Sequence, residues 1–101
     1  MNNEQYMEML MVFHDHLHTL IVCWPNGLKV KCESFTGISE TDTEPGDDDY
    51  VGEYAVGVDE VEVLVKGRDD SVEICDGAME ISLLNIPEKI MLEDGTVLWQ
   101  R

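Results

Sequence analysis

Near residue 19 the spacing of apolar residues changes from a helical period to an alternating one, and few folds accommodate that change in a chain of 101 residues. Before it, Tyr6, Leu10, Phe13 and Leu17 lie four, three and four positions apart, which draws one stripe along a helix. This spacing predicts a helix from residue 3 to about 16, within an N-terminal portion 1–18. Asn2 or Asn3 can cap the first turn, and Glu4 and Glu8 suit its positive end. Met7, Met9, Met11 and Val12 carry apolar character further round the cylinder, so the helix is either buried on several sides or used as an interface.

Beyond residue 19 the period is two. Thr19–Trp24 and Leu28–Phe35 are β-rich runs joined by Pro25-Asn26-Gly27, a hairpin signal. Leu28, Val30 and Cys32 share one face of the second run, and Lys29, Lys31 and Glu33 the other. The acidic stretch 39–49, with its Pro-Gly, reads as a long loop. Strand character returns over Tyr50–Val65, where Val61, Val63 and Val65 alternate with Glu60 and Glu62; Gly52 and Gly57 predict a bulge or bend there. Gly67-Arg68-Asp69-Asp70 reads as a turn. Ser71–Cys75 and Ala78–Leu84 read as two short strands about Asp76-Gly77. Pro87 interrupts, with Ile86 able to plug a core. Ile90–Glu93, Asp94-Gly95 and Thr96–Trp99 then read as strand, type I′ turn and strand.

A helix followed by five to seven short strands predicts one α+β or mainly β domain over 1–101. The helix 1–18 would cap a small antiparallel, partly closed β-barrel formed by 19–101, with the acidic loop 39–49. The element order is similar to that of the SH3-like and Sm-like small barrels. The Sm-like resemblance would imply RNA binding and ring assembly.

Charge bears on the RNA half of that implication. Twenty-two acids stand against six bases, a net charge of -16, and between Lys31 and Lys66 eleven acids occur with no base among them. Such a field repels phosphates and anionic lipid headgroups, so direct nucleic acid and membrane binding are disfavoured, while a basic protein surface is attracted. A homodimer or ring remains compatible with it. No apolar run approaches the roughly 20 residues of a membrane-spanning helix. The N-terminus begins Met1-Asn2-Asn3-Glu4 without a basic residue, unlike a secretory signal, so a cytoplasmic location is expected.

The residues offer little catalytic chemistry. All three histidines fall in Phe13-His14-Asp15-His16-Leu17-His18. On a continuing helix His14 and His18 share a side and join Met7 and Met11 in a strip suited to a soft ion; on an extended chain His14, His16 and His18 share a face. At a helix C-terminus imidazolium is also favourable without any metal. Cys23, Cys32 and Cys75 lack CxxC spacing and read as small packing groups. The acidic loop lacks the calcium-loop pattern, and neither a nucleophile elbow nor a phosphate-binding glycine loop occurs.

The expectation is therefore a non-enzymatic, cofactor-free interaction module that self-associates or docks a basic partner. Its working surfaces would be the helix, through Tyr6, Met7, Leu10, Met11 and Phe13, and the acidic loop, through Asp47, Asp48 and Asp49. A DNA-mimicking inhibitor of a nucleic-acid-binding protein is the alternative, followed by a metal-binding module at His14, His16 and His18.

Overall fold

The computed structural model describes residues 3–16, 19–41, 46, 48 and 54–101. Helix α1 spans Asn3–Asp15, and six strands follow: β1 Leu20–Cys23, β2 Lys29–Glu40, β3 Tyr54–Val65, β4 Met79–Ile81, β5 Lys89–Met91 and β6 Val97–Gln100. They form one sheet in the order β4-β3-β2-β1-β5-β6. Every pairing is antiparallel. The sheet is curled into a half-barrel, and β4 and β6 remain its edges.

Alternation decides what the curl encloses. Leu20, Val22, Val30, Cys32, Val56, Val58, Ile81 and Ile90 line the inside together with Trp24 and Leu28. From the helix come Tyr6, Met9, Leu10 and Phe13, of which Met9 and Leu10 are completely buried. Helix α1 lies against β2 and β3 on one side and β6 on the other, so it spans the mouth of the curl. Each large apolar side chain enclosed this way contributes about 1.5–3 kcal/mol relative to exposure. Tyr6 keeps its polar end satisfied inside the core, its hydroxyl donating to the Tyr54 carbonyl at 2.5 Å.

Three turns carry the topology. In the first, the Gly27 N–H donates to Trp24 O and the Trp24 N–H to Leu28 O, while Asn26 Oδ1 accepts the Leu28 N–H. The turn after β5 repeats this arrangement: Gly95 donates to Leu92, Leu92 to Thr96, and Asp94 Oδ1 accepts the Thr96 N–H. Gly27 and Gly95 both have φ near +92. These are three-residue loops closed by a left-handed glycine, so the two-residue type I′ turn expected at Asp94-Gly95 is corrected. Asp94 keeps a negative φ there because its carboxylate caps Thr96. The type I′ conformation occurs instead at Asp76-Gly77, where both residues have positive φ and Cys75 and Ala78 exchange backbone hydrogen bonds.

Two other expectations change. Strand β2 runs five residues past Phe35, because a bulge between Phe35 and Gly37 bends it and lets Ile38, Ser39 and Glu40 pair with Val56, Ala55 and Tyr54. The start of the expected loop is therefore strand. Ser71–Cys75 does not form a strand. Asp69 Oδ1 accepts the Ser71 N–H at 3.1 Å, the Ser71 hydroxyl at 2.6 Å and Asn26 Nδ2 at 2.9 Å. This pin ties residues 66–71 to the first hairpin turn, helped by Arg68, whose N–H and guanidinium donate to Asn26 O and Pro25 O. At the closest approach a Cβ on Gly67 would stand 2.7 Å from Asn26 Nδ2, so a larger residue there would have to displace the Asn26 side chain. Val72 and Ile74 then drop onto the core rather than into a ladder.

Near the C-terminus Trp24 Nε1 donates to Asn85 O at 2.6 Å. The Asn85 side chain in turn accepts from Ser82 N and donates to Glu80 O. Pro87 is fully buried, and Arg101 donates to the carbonyls of Ile86 and Pro87.

Phe13→Ala should cost about 3–5 kcal/mol in chemical denaturation, while Met11→Ala, on the exposed side of the same helix, should cost under about 0.5 kcal/mol. The Asp69 pin sets a pH dependence. Hydrogen bonds from the Ser71 hydroxyl first, then Asn26 and the Ser71 backbone, lower its pKa from 3.8 to about 2. The contribution is therefore fully present above pH 3.8 and is lost as the pH falls through about 2. Asp69→Asn, which keeps an acceptor but cannot titrate, should flatten this part of the stability–pH curve measured by urea unfolding.

Candidate interaction surface

The histidines separate at the end of α1. His14 occupies the last helical turn, is exposed, and places Nδ1 3.3 Å from Asp15 Oδ1. The His16 N–H donates to Val12 O and closes that turn, so His16 itself lies just past the helix and is half-buried. His18 lies outside the described residues. Among the described residues, no group of three or more His, Cys, Asp or Glu is gathered closely enough to hold a metal ion.

The helix splits into two faces. Tyr6, Leu10 and Phe13 belong to the core and are sealed from a partner in the folded chain. Met7 and Met11, one turn apart, are 36% and 40% exposed and form its accessible apolar strip. Met9 is the methionine that goes inside. Its position three after Tyr6 and four before Phe13 is the sequence signal that separates it from the other two.

The outer face of the sheet carries half of the chain's bases. Cys23 stands opposite Lys29 in one ladder and opposite Lys89 in the other. In the next row Ile21 stands between Lys31 and Met91. Lys31 Nζ lies 3.4 Å from Glu33 and 3.9 Å from Glu93. The hydrogen bond that Lys31 donates to Glu33, then the charge of Glu93, raise its pKa, so it remains protonated. These pairs neutralise Lys31 locally, and the residue stands opposite Ile21 in the ladder. Burial pushes the Cys32 thiol up to about 12, which makes it a packing group rather than a nucleophile. Cys23 and Cys75 are also free thiols.

Acids occupy the rest of the surface. Glu4, Glu8 and Asp15 are exposed on α1, Glu33 and Glu40 on β2, Glu60 and Glu62 on β3, Glu80 on β4, and Glu93 and Asp94 in the last turn. Asp48 is exposed, whereas Asp47 and Asp49 lie outside the described residues. One apolar feature stands out against this background. Val63, Leu64 and Val65, at the end of β3, are 47%, 44% and 51% exposed. Alternation alone assigns Val63 and Val65 to a buried face; it misses them because the strand outruns the elements that cover it.

A cleft of about 450 Å³ lies between α1 and the C-terminus, lined by Gln5, Glu8, Ile86, Trp99, Gln100 and Arg101. Its ionisable groups are Glu8 and Arg101, and the guanidinium is already committed to backbone carbonyls. Among the described residues no helix is long and apolar enough to cross a membrane.

The arrangement is one of surfaces: an acidic shell, a short methionine strip and an uncovered strand end. No curated protein and no solved structure matches the chain. A family model described as "Cognate immunity protein YxxD" matches residues 1–101, and the chain belongs to that family of immunity proteins.

Proposed function

We propose that this protein binds a cognate toxin and neutralises it by occupying its surface, without catalysing a reaction. The observation that carries this reading is the family match along the whole chain. The surface agrees with it. An inhibitor of this kind needs fast capture and a large complementary face rather than a reactive pocket, and a net charge of -16 accelerates encounter with a basic partner. The acidic loop and the methionines of α1 are the parts best suited to that face: the first selects the partner's sign, and Met7 and Met11 supply adaptable apolar area. Cytoplasmic action fits the three free cysteines.

The distribution of acids favours general attraction over imitation of a nucleic acid. A phosphate mimic needs its carboxylates along one track with spacing near 7 Å. Here exposed acids occur on the helix, on β2, on β3 and on the loops.

Co-expression of the chain with its cognate toxin should restore growth to cells that the toxin alone arrests, and mixing the purified proteins should abolish toxin activity at molar equivalence. Failure of both would remove the reading. Affinity measured by calorimetry should fall steadily as NaCl rises. The triple change Asp47→Asn, Asp48→Asn, Asp49→Asn should weaken binding roughly three-fold or more and reduce the salt slope. Unchanged affinity and slope would leave the inhibitor but remove the electrostatic role of the loop.

A further inference from the structure

Among the described residues Leu84 is the most exposed large apolar side chain, at 74%, yet the turn that carries it is held tightly. The Leu84 N–H donates to the Ser82 hydroxyl at 3.2 Å, and the Asn85 N–H donates to Ser82 O at 3.3 Å. Asn85 Oδ1 accepts the Ser82 N–H and Asn85 Nδ2 donates to Glu80 O, both at 2.8 Å. Asn85 O accepts the Trp24 indole N–H at 2.6 Å. Ser82 itself is buried, and Pro87 anchors the far end of the turn in the interior. Side-chain hydrogen bonds thus fix the backbone on both sides of Leu84. A residue presented this way loses little conformational freedom when a partner covers it.

The Leu84 ridge divides two grooves. One, of about 480 Å³, lies between residues 70–75 and 79–85 and has Asp70, Glu73, Cys75, Met79 and Glu80 in its walls. The other, of about 370 Å³, lies towards the first hairpin turn and is lined by Trp24, Val72, Leu83 and Ile86. Asp70, Glu73 and Glu80 are exposed and make no ion pair among the described residues. Arg101, the base that borders the second groove, is committed to the carbonyls of Ile86 and Pro87. Along the chain, six acids and no base lie between Arg68 and Lys89. An apolar ridge and an acidic wall therefore stand side by side. One kind of side chain satisfies both: a lysine or arginine can lay its aliphatic stem along Leu84 and carry its charge to the carboxylates.

We propose that the Leu84 ridge, with the groove walled by Asp70, Glu73 and Glu80, is a contact for the cognate toxin. Its occupant is a toxin segment in which a lysine or arginine adjoins an apolar residue. This rests on the inhibitor reading above, and the contact is separate from the acidic loop and from the methionines of α1. A second copy of this chain is a poorer occupant, since it brings further acids to the same carboxylates.

Calorimetric titration of the full chain with purified toxin, repeated at several NaCl concentrations, tests this. Leu84→Ala should weaken binding roughly ten-fold or more and leave the salt slope as it was, because it removes apolar contact alone. The triple change Asp70→Asn, Glu73→Gln, Glu80→Gln should weaken binding several-fold and flatten the slope. Neither variant should move the urea midpoint, since all four side chains are exposed and outside the hydrogen bonds that hold the turn. Cys75, an exposed thiol in the groove wall, serves as a native reporter: its alkylation by iodoacetamide should slow several-fold in the saturated complex. Toxin bound equally tightly by both variants, or Cys75 alkylated as fast in the complex as in the free chain, overturns the assignment and leaves the inhibitor reading standing. A loss with Leu84→Ala alone overturns the basic occupant, and a loss with the triple change alone overturns the apolar anchor. A wild-type chain that does not bind the toxin overturns both this contact and the inhibitor reading.

Discussion

The structure depends on α1 closing the curl of the sheet. A six-stranded half-barrel with two free edges cannot bury its inner face against itself, and β4, β5 and β6 are only three or four residues long. The helix supplies the missing side. Tyr6, Met9, Leu10 and Phe13 share one core with residues from five of the six strands, joining elements far apart in the chain. Such contacts form only when both ends of the domain are in place, so the helix, the first hairpin and the final hairpin should gain their stability together. The Tyr6 hydroxyl on Tyr54 O and the Trp24 indole on Asn85 O add specificity to this packing, because each leaves a buried donor unsatisfied in any other register.

Much of this architecture was legible in the chain, and the reasons are local. The helical stripe, the alternation in Leu28–Cys32 and the glycine turns are short-range patterns with a direct physical cause. Both Trp24–Leu28 and Leu92–Thr96 place an Asn or Asp before a glycine, and in both the side chain caps the residue that follows it. What was not legible depended on tertiary partners. Ser71–Cys75 has strand-like residues, but the Asn26–Asp69–Ser71 pin, made across more than 40 residues, holds it out of a ladder. The continuation of β2 to Glu40 needed β3 alongside it. Phe13 and Tyr6 could be assigned to the apolar stripe but not to the core rather than a partner face until the sheet was present.

The functional surface was less legible still. Charge announces the sign of a partner but not where it binds, and acids spread over α1, β2, β3, β4 and the turns leave no local signature. The histidines attract notice in the sequence because they are adjacent, yet adjacency near a helix terminus separates them in space: His14 is in the last turn and His16 beyond it. Family membership rests on a match along residues 1–101 rather than on any short run that the residues themselves single out.

The net charge acts in opposite senses on two kinds of association. A charge of -16 draws in a basic partner at long range and keeps two copies of the chain apart at the same distance. At physiological ionic strength the screening length is about 8 Å, so repulsion between bodies fades while ion pairs at contact persist. An uncovered, apolar β3 edge is a hazard in a neutral protein, where it would invite uncontrolled pairing. On this chain the net charge opposes such pairing. An acidic shell thus favours a basic partner surface over a second acidic body, a discrimination obtained from charge distribution rather than from a carved pocket.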